Sequence, residues 1–274
     1  MKIKKIIKTL IIAGAIVAFA CIAGSMSLET TVYDVRSAKI KRPFRIAQLS
    51  DLHGYAFGDN QSEIMAALSA QPPDIVVMTG DIFDDRYTPD DAWRLIGAVA
   101  AAYPCWFVSG NHELEMGRWP EYKAGLLELG VKILDGNFEA VAINGKAVNI
   151  CGVGDPYPLG NSARLGTAFK GADGSSYTIL LAHRPERFED YAKYPCDLVL
   201  SGHAHGGQWR LPPVLDQGMW APNQGFFPKL TSGVHKIGDT TMIISRGLPK
   251  GPGLIPRIFN RPEIVIINVS PIAA

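Results

Sequence analysis

The sequence predicts an α/β fold, a four-layer αββα sandwich of two mixed sheets, with an N-terminal membrane segment ahead of it. Three observations lead there. Short apolar runs of β-rich composition alternate with stretches of helical spacing, the pattern of a mostly parallel sheet. The middle of the chain carries a hairpin signal around Asn144-Gly145, which begins a second sheet. Residues 9–26 are apolar and uncharged and follow Lys2, Lys4, Lys5 and Lys8, the composition of a membrane-targeting segment rather than of a folded core.

Taken in order, the chain divides into residues 1–28 (membrane anchor or signal segment), 29–43 (linker and first strand) and 44–274 (the globular domain). At about 18 residues the apolar stretch is just long enough to span a bilayer once. Ala18-Phe19-Ala20 offers a secretory cleavage site, and Cys21 sits in a poor context for lipidation, so the anchor reading leads. The leading lysines hold the N-terminus in the cytoplasm and put the domain outside the cell membrane. Monotopic attachment on the cytoplasmic face, with the lysines on anionic lipid, is the alternative.

Five apolar runs then end in polar residues. Residues 45–49 run into Asp51-Leu52-His53, 74–78 into Gly80-Asp81, and 105–108 into Gly110-Asn111-His112-Glu113. Residues 177–181 run into Ala182-His183, and 197–200 into Gly202-His203-Ala204-His205. Helical stretches at 62–70, 89–102 and 119–129 separate the first of these strands. In such a sheet the carboxyl ends of the strands form the crevice where ligands bind, so the five segments are expected to converge. Five of the six histidines lie inside them, and His235, outside, reads as non-catalytic.

Carboxylate, imidazole and amide oxygen without thiolate disfavour a structural zinc knot and suit first-row divalent ions. The cluster reads as a site for two divalent metal ions, Mn, Fe, Zn or Co. Two such ions about 3.5–4 Å apart hold a shared hydroxide and stabilise both sides of an in-line displacement at phosphorus.

The segments, in this order, resemble the calcineurin-like metallophosphoesterases and the metallo-dependent phosphatase fold. Gly202 to Gln208, Ser245-Arg246-Gly247-Leu248 and Phe259-Asn260-Arg261-Pro262-Glu263 extend the resemblance to the membrane-associated bacterial branch similar to the YaeI and YkuE phosphodiesterases. It covers most of residues 44–269. The resemblance implies that Asp51, His53 and His205 bind one metal, Asn111, His183 and His203 the other, with Asp81 as bridge. It implies that His112 is the general acid and that Glu113, where many members have Asp, orients it.

Asp84 reads either as an acceptor behind a ligand histidine or as a turn residue, and Asp85 and Arg86 read as solvated. The family's purple acid phosphatases have tyrosine at the position of Asp84, so a tyrosinate-ligated ferric site is not expected. The protein phosphatases' Asp-Arg-Gly is absent after Gly80-Asp81. Arg246 and Arg261 are candidate contacts for a substrate phosphate, or ion pairs that pin the C-terminal strand. The expected activity is metal-dependent hydrolysis of a phosphodiester or pyrophosphate, with a phosphoester substrate that is lipid-linked in one reading. The alternatives are a UDP-diacylglucosamine-type pyrophosphatase of lipid metabolism and a non-catalytic binder of phosphoryl ligands. The intact ligand set favours an enzyme.

Residues 138–143 and 147–151 flank Asn144-Gly145, and strands at 241–245 and 263–269 complete the sheets. Residues 208–229 differ in kind, being rich in Pro and Gly and carrying Trp209, Trp220, Phe226 and Phe227. A loop of this length after a histidine pair is expected to border the site. Its aromatics would meet a lipid chain or bilayer interface, or else fold over the second sheet. With 47% hydrophobic and 19% charged residues the chain supports one sizeable core. Setting the four leading lysines aside, 23 of the 27 basic residues remain against 26 acidic ones, and no basic stripe argues for nucleic acid. Cys105, Cys151 and Cys196 lie in or beside apolar runs and are expected as buried free thiols.

Overall fold

The computed structural model describes residues 26–155, 162–172, 174–249 and 257–272, together with residues 4, 6–9, 11, 12 and 14. The strands are, in chain order, β1 (Glu29–Ser37), β2 (Phe44–Leu49), β3 (Ile75–Met78), β4 (Cys105–Phe107), β5 (Lys132–Ile133), β6 (Asn137–Ile143) and β7 (Lys146–Val153). They continue with β8 (Tyr177–Ala182), β9 (Leu198–Ser201), β10 (Trp220–Ala221), β11 (Gly225–Phe226), β12 (Gly233–Ile237), β13 (Thr240–Ile244) and β14 (Glu263–Pro271).

Two mixed sheets result, β1-β14-β2-β3-β4-β5 and β12-β13-β9-β8-β7-β6, with β10 and β11 as a separate hairpin. In the first, β2, β3, β4 and β5 run parallel, while β14 enters antiparallel to β2 and parallel to β1. In the second, β7, β8, β9 and β13 are parallel and the edges β6 and β12 antiparallel. The predicted hairpin forms: Asn144 (φ 51) and Gly145 (φ 77) are both left-handed, as a two-residue turn between twisted strands requires.

Period-two alternation sorts each strand's side chains between layers. Ile46 and Val77 point between the sheets and meet Trp106, Ile150, Ile179 and Ile243. Leu49 and Val76 point the other way, onto Leu68, Leu95, Ile96 and Leu126 of the crossover helices. A third cluster packs Leu180, Val199 and Ile244 against Leu165, Phe188 and Tyr191 on the far side of the second sheet. Three apolar interfaces make four layers, αββα. The crossover helices are Ser62–Ala70, Asp90–Ala102 and Trp119–Glu128. Asp90–Ala102 buries Ala92, Leu95, Ile96 and Val99, the i, i+3, i+4, i+7 stripe of a one-faced helix, and Asp90 and Asp91 complement its N-terminal dipole. Ile179 is fully buried between the sheets, and truncating it to alanine would cost about 2–5 kcal/mol.

Among the described residues no helix is long and apolar enough to cross a membrane. The transmembrane helix expected over residues 9–26 is therefore not among the elements of this structure, and most of that stretch lies outside the described residues. Cys105, Cys151 and Cys196 are free and buried, as expected.

Candidate metal centre

Each strand that points into the crevice ends in a sharp turn. Asp51 (φ 53), His53 (φ 50), Asp81 (φ 54), His203 (φ 66) and His205 (φ 48) all adopt left-handed backbone, which is costly for side-chain-bearing residues and characteristic of functional sites. The turns also demand glycine. Gly80 has φ 92, and a Cβ on it would sit 2.5 Å from the Gly110 nitrogen and 2.7 Å from His183 Nδ1. A Cβ on Gly202 would collide with Ser50 and the Asp51 carboxylate.

The side chains meet in overlapping groups, among them two triads and a third group of His53, Asp81 and His112 that joins them. Ligand atoms of Asp51, His53 and His205 lie within 4.8 Å of one another, and so do those of Asp81, His183 and His203. Asp81 stands between them, its Oδ2 3.1 Å from His183 Nε2 and 3.9 Å from His53 Nε2. His203 Nδ1 is 3.1 Å from His183 Nε2.

Three buried polar atoms here have no hydrogen-bond partner: His53 Nε2, Asn111 Oδ1 and His205 Nδ1. Orphaned buried groups are costly and rare, and all three are lone-pair donors that divalent cations accept. The donor set therefore fits divalent metal ions.

One ring nitrogen of each of His53, His183 and His203 is held from behind. His53 Nδ1 lies 2.6 Å from Asp84 Oδ2, His183 Nδ1 2.7 Å from the Thr79 carbonyl oxygen, and His203 Nε2 2.7 Å from Asn223 Oδ1. Asn223 Oδ1 also accepts from Arg184, which can only donate, so that atom is the amide oxygen. Each imidazole thus donates to an acceptor behind it and turns its remaining nitrogen inward.

Burial raises the Asp51 carboxyl above its ordinary range. Burial pushes Asp81 the same way, but the charge and hydrogen bond of His183 hold it well below the usual carboxylate value. For His183 burial works against the charged form, yet facing Asp81 raises it to about 10. His53 is raised despite burial, through its bond to Asp84 and the charge of Asp81. Burial and the neighbouring His183 depress His203 to about 3, and burial with His53 nearby takes His205 well below its ordinary value. The two buried carboxylates raise the proton affinity of the nearest imidazoles, His53 and His183.

Asp84 fills both roles weighed for it. Oδ2 takes His53, while Oδ1 accepts the backbone N–H of Arg86 at 2.8 Å in a turn. Arg86 was expected to be solvated; its side chain is 43% exposed, but the guanidinium pairs with both oxygens of Asp84.

Glu113 does not orient His112. Its Oε2 accepts the backbone N–H groups of Asp81 and Gly110, and its Oε1 those of Ile82 and Phe83, at 2.7–3.0 Å. It clamps the turn after β3 to the turn after β4. The carboxylate beside the His112 ring is Asp84, 3.5 Å from Nδ1. His112 lies edge-on to His53, its backbone N–H bonds Asp81 Oδ1, and its side chain is 25% exposed against 3% for His53.

The two arginines expected at a substrate phosphate are turned to the N-terminal strand. Arg246 pairs with Glu29 at 2.8 Å and Glu263 at 2.9 Å, because β1 lies parallel to β14 and sets these carboxylates side by side. Arg261 donates to the carbonyls of Ser27 and Leu28. Sequence reasoning missed Asn223. Its only sequence signal is a turn-forming Pro-Asn-Gln-Gly, which says nothing about His203.

Residues 44–207, more than half of the chain, match the family model described as Calcineurin-like phosphoesterase. The chain is 29% identical to the metallophosphoesterase YkuE of Bacillus subtilis, covering 88% of this chain and 85% of that protein. It is 27% identical to the phosphodiesterase YaeI of Escherichia coli, over 83% of this chain and 82% of that one. Among solved structures, the sulfate thiohydrolase SoxB of Thermus thermophilus shares the fold, with TM-score 0.50 and 16% identity over 73% of this chain and 51% of that one.

Proposed function

Because the chain belongs to the calcineurin-like phosphoesterase family and is a metallophosphoesterase, we propose that it hydrolyses phosphodiesters at a centre of two divalent metal ions. Asp51, His53 and His205 would hold one ion, Asn111, His183 and His203 the other, and Asp81 would serve both. The observation that carries this reading is the pair of three-residue groups, with Asp81 of the second also facing His53 of the first. Bound there, the ions would supply an activated water and neutralise the phosphoryl oxygens.

The chain's own residues supply the rest. His112, the accessible imidazole at the rim, gives its proton to the departing alkoxide oxygen as the P–O bond breaks and the water oxygen bonds phosphorus. Asp84, close to its Nδ1, steadies the ring with the other nitrogen toward the substrate. Glu113 fixes the turns that aim Asp81 and Asn111. Diester preference is supported by the name of the relative YaeI, a phosphodiesterase. The lysine-led apolar segment supports attachment to the cell membrane with the domain on its outer side.

The test is hydrolysis of bis-p-nitrophenyl phosphate and p-nitrophenyl phosphate by the full chain, after chelation and after adding back Mn, Zn, Co or Fe. Metal-dependent turnover with the diester preferred is expected. Metal binding without turnover of either ester would overturn the reading in favour of a phosphoryl-binding protein.

A further inference from the structure

The hairpin of β10 and β11 joins two surfaces of opposite chemistry. Its turn enters the metal centre, where Asn223 holds His203. Its strands present the cross-strand pair Trp220 and Phe226, whose side chains share one face. That face is open, with Trp220 41% and Phe226 73% exposed. Leu211 at 52% and Val214 at 81% are further exposed apolar residues of the same loop, while Phe227 lines a separate surface cavity with Glu186, Glu189 and Lys236. Trp220 and Phe226, with Gln208, Trp209 and Met219, line a cavity of about 290 Å³. Asp216, the loop's acid, is tied to Arg210.

The C-terminal stretch ties the root of this loop to the residues that follow the N-terminal segment. Asn260 donates to the carbonyls of His205 and Gln208, at the root of the loop, and the preceding Phe259 is 47% exposed. The following Arg261 grips the carbonyls of Ser27 and Leu28. Ser27 and Leu28, which directly follow the uncharged apolar stretch 9–26 and its four lysines in sequence, thus lie next to the root of the aromatic loop. An extended apolar face is unfavourable in water, and tryptophan and phenylalanine at its edge suit the boundary between headgroups and acyl chains.

We infer that the face of Trp220 and Phe226 docks onto a lipid bilayer and holds the metal centre at the lipid–water boundary, so that the substrate class is a phosphodiester carried on a membrane lipid. From Asn223 to Phe226 is three residues, at most about 10 Å of chain, so the site and the docked face are neighbours. The substrate clause rests on the phosphodiesterase reading; the docking clause does not.

The test uses the full chain in vesicles of phosphatidylethanolamine and phosphatidylglycerol, with and without brominated acyl chains, which quench tryptophan only on contact. The contribution of Trp220, taken as the difference between the native chain and Trp220→Phe, should fall to about half or less in brominated vesicles. The substitution Phe226→Ser, at an exposed position, should restore most of that emission and leave metal-dependent hydrolysis of bis-p-nitrophenyl phosphate unchanged. Equal Trp220 emission in both vesicles would overturn the inference, whether the face then binds a second copy, another protein or nothing. Quenching without hydrolysis of the soluble diester would keep the docking and remove the substrate clause. Hydrolysis without quenching would keep the enzyme and remove the docking.

Discussion

The two sheets build the candidate centre from different chemistry. The first delivers Asp51, Asp81 and Asn111, with His53 and, at the rim, His112; the second delivers His183, His203 and His205. The supports differ as well. Behind the first sheet's groups stand charged residues, Asp84 on His53 and Glu113 on four peptide N–H groups. Behind His183 and His203 of the second sheet stand neutral oxygens, the Thr79 carbonyl and Asn223. Negative charge comes from one side and lone-pair nitrogen from the other, so the full donor set exists only when the sheets pack through the cluster around Ile46, Val77 and Ile179. Such a site is a readout of the whole fold rather than of one loop.

The largest expected effect that separates the two kinds of support is at Glu113. Glu113→Ala leaves four buried N–H groups without acceptors at about 1–3 kcal/mol each, so a loss of roughly 3 kcal/mol or more is expected in denaturant unfolding. A loss under about 1 kcal/mol would mean that the turns hold without it.

Asn223→Ala should act on the metal instead, lowering its affinity about 10–100-fold with little change in unfolding, as removal of an outer hydrogen bond on a ligand imidazole does. Titration with a chelator of known affinity measures it, and an unchanged affinity would separate the hairpin from the centre.

The smallest effect is in the metal-free chain. His203, depressed from 6.5 to about 3, binds fewer protons folded than unfolded, so its contribution is present above about pH 6.5 and is lost as pH falls toward 3. His183, raised from 6.5 to about 10, contributes fully below 6.5 and loses that contribution as pH rises through 10. The pair predicts maximal apo stability near pH 6.5, and loading metal near pH 8 should displace the His183 proton. A pH electrode in weakly buffered solution detects that release, and its absence would mean His183 is already neutral.

Much of this was legible because one local grammar repeats, an apolar run, a small residue and then a ligand, and because strand ends in a parallel sheet share an edge. Glu113 was misread for a local reason. Successive residues on a helix turn by about 100°, so on Asn111–Glu115 the residue after His112 points away from it and down onto the turns. Arg246 was ambiguous because its partner Glu29 lies 217 positions away, joined to it only by the pairing of β1 with β14. Asn223 was invisible because the hairpin's docking on His203 has no sequence period.

The central claim is one centre assembled from both sheets around Asp81. Metal content per chain, measured by mass spectrometry after loading and desalting, tests it most directly. Two ions per native chain and a loss of tightly held metal in Asp81→Ala are predicted; one ion or none in the native chain, or full occupancy in Asp81→Ala, would contradict it.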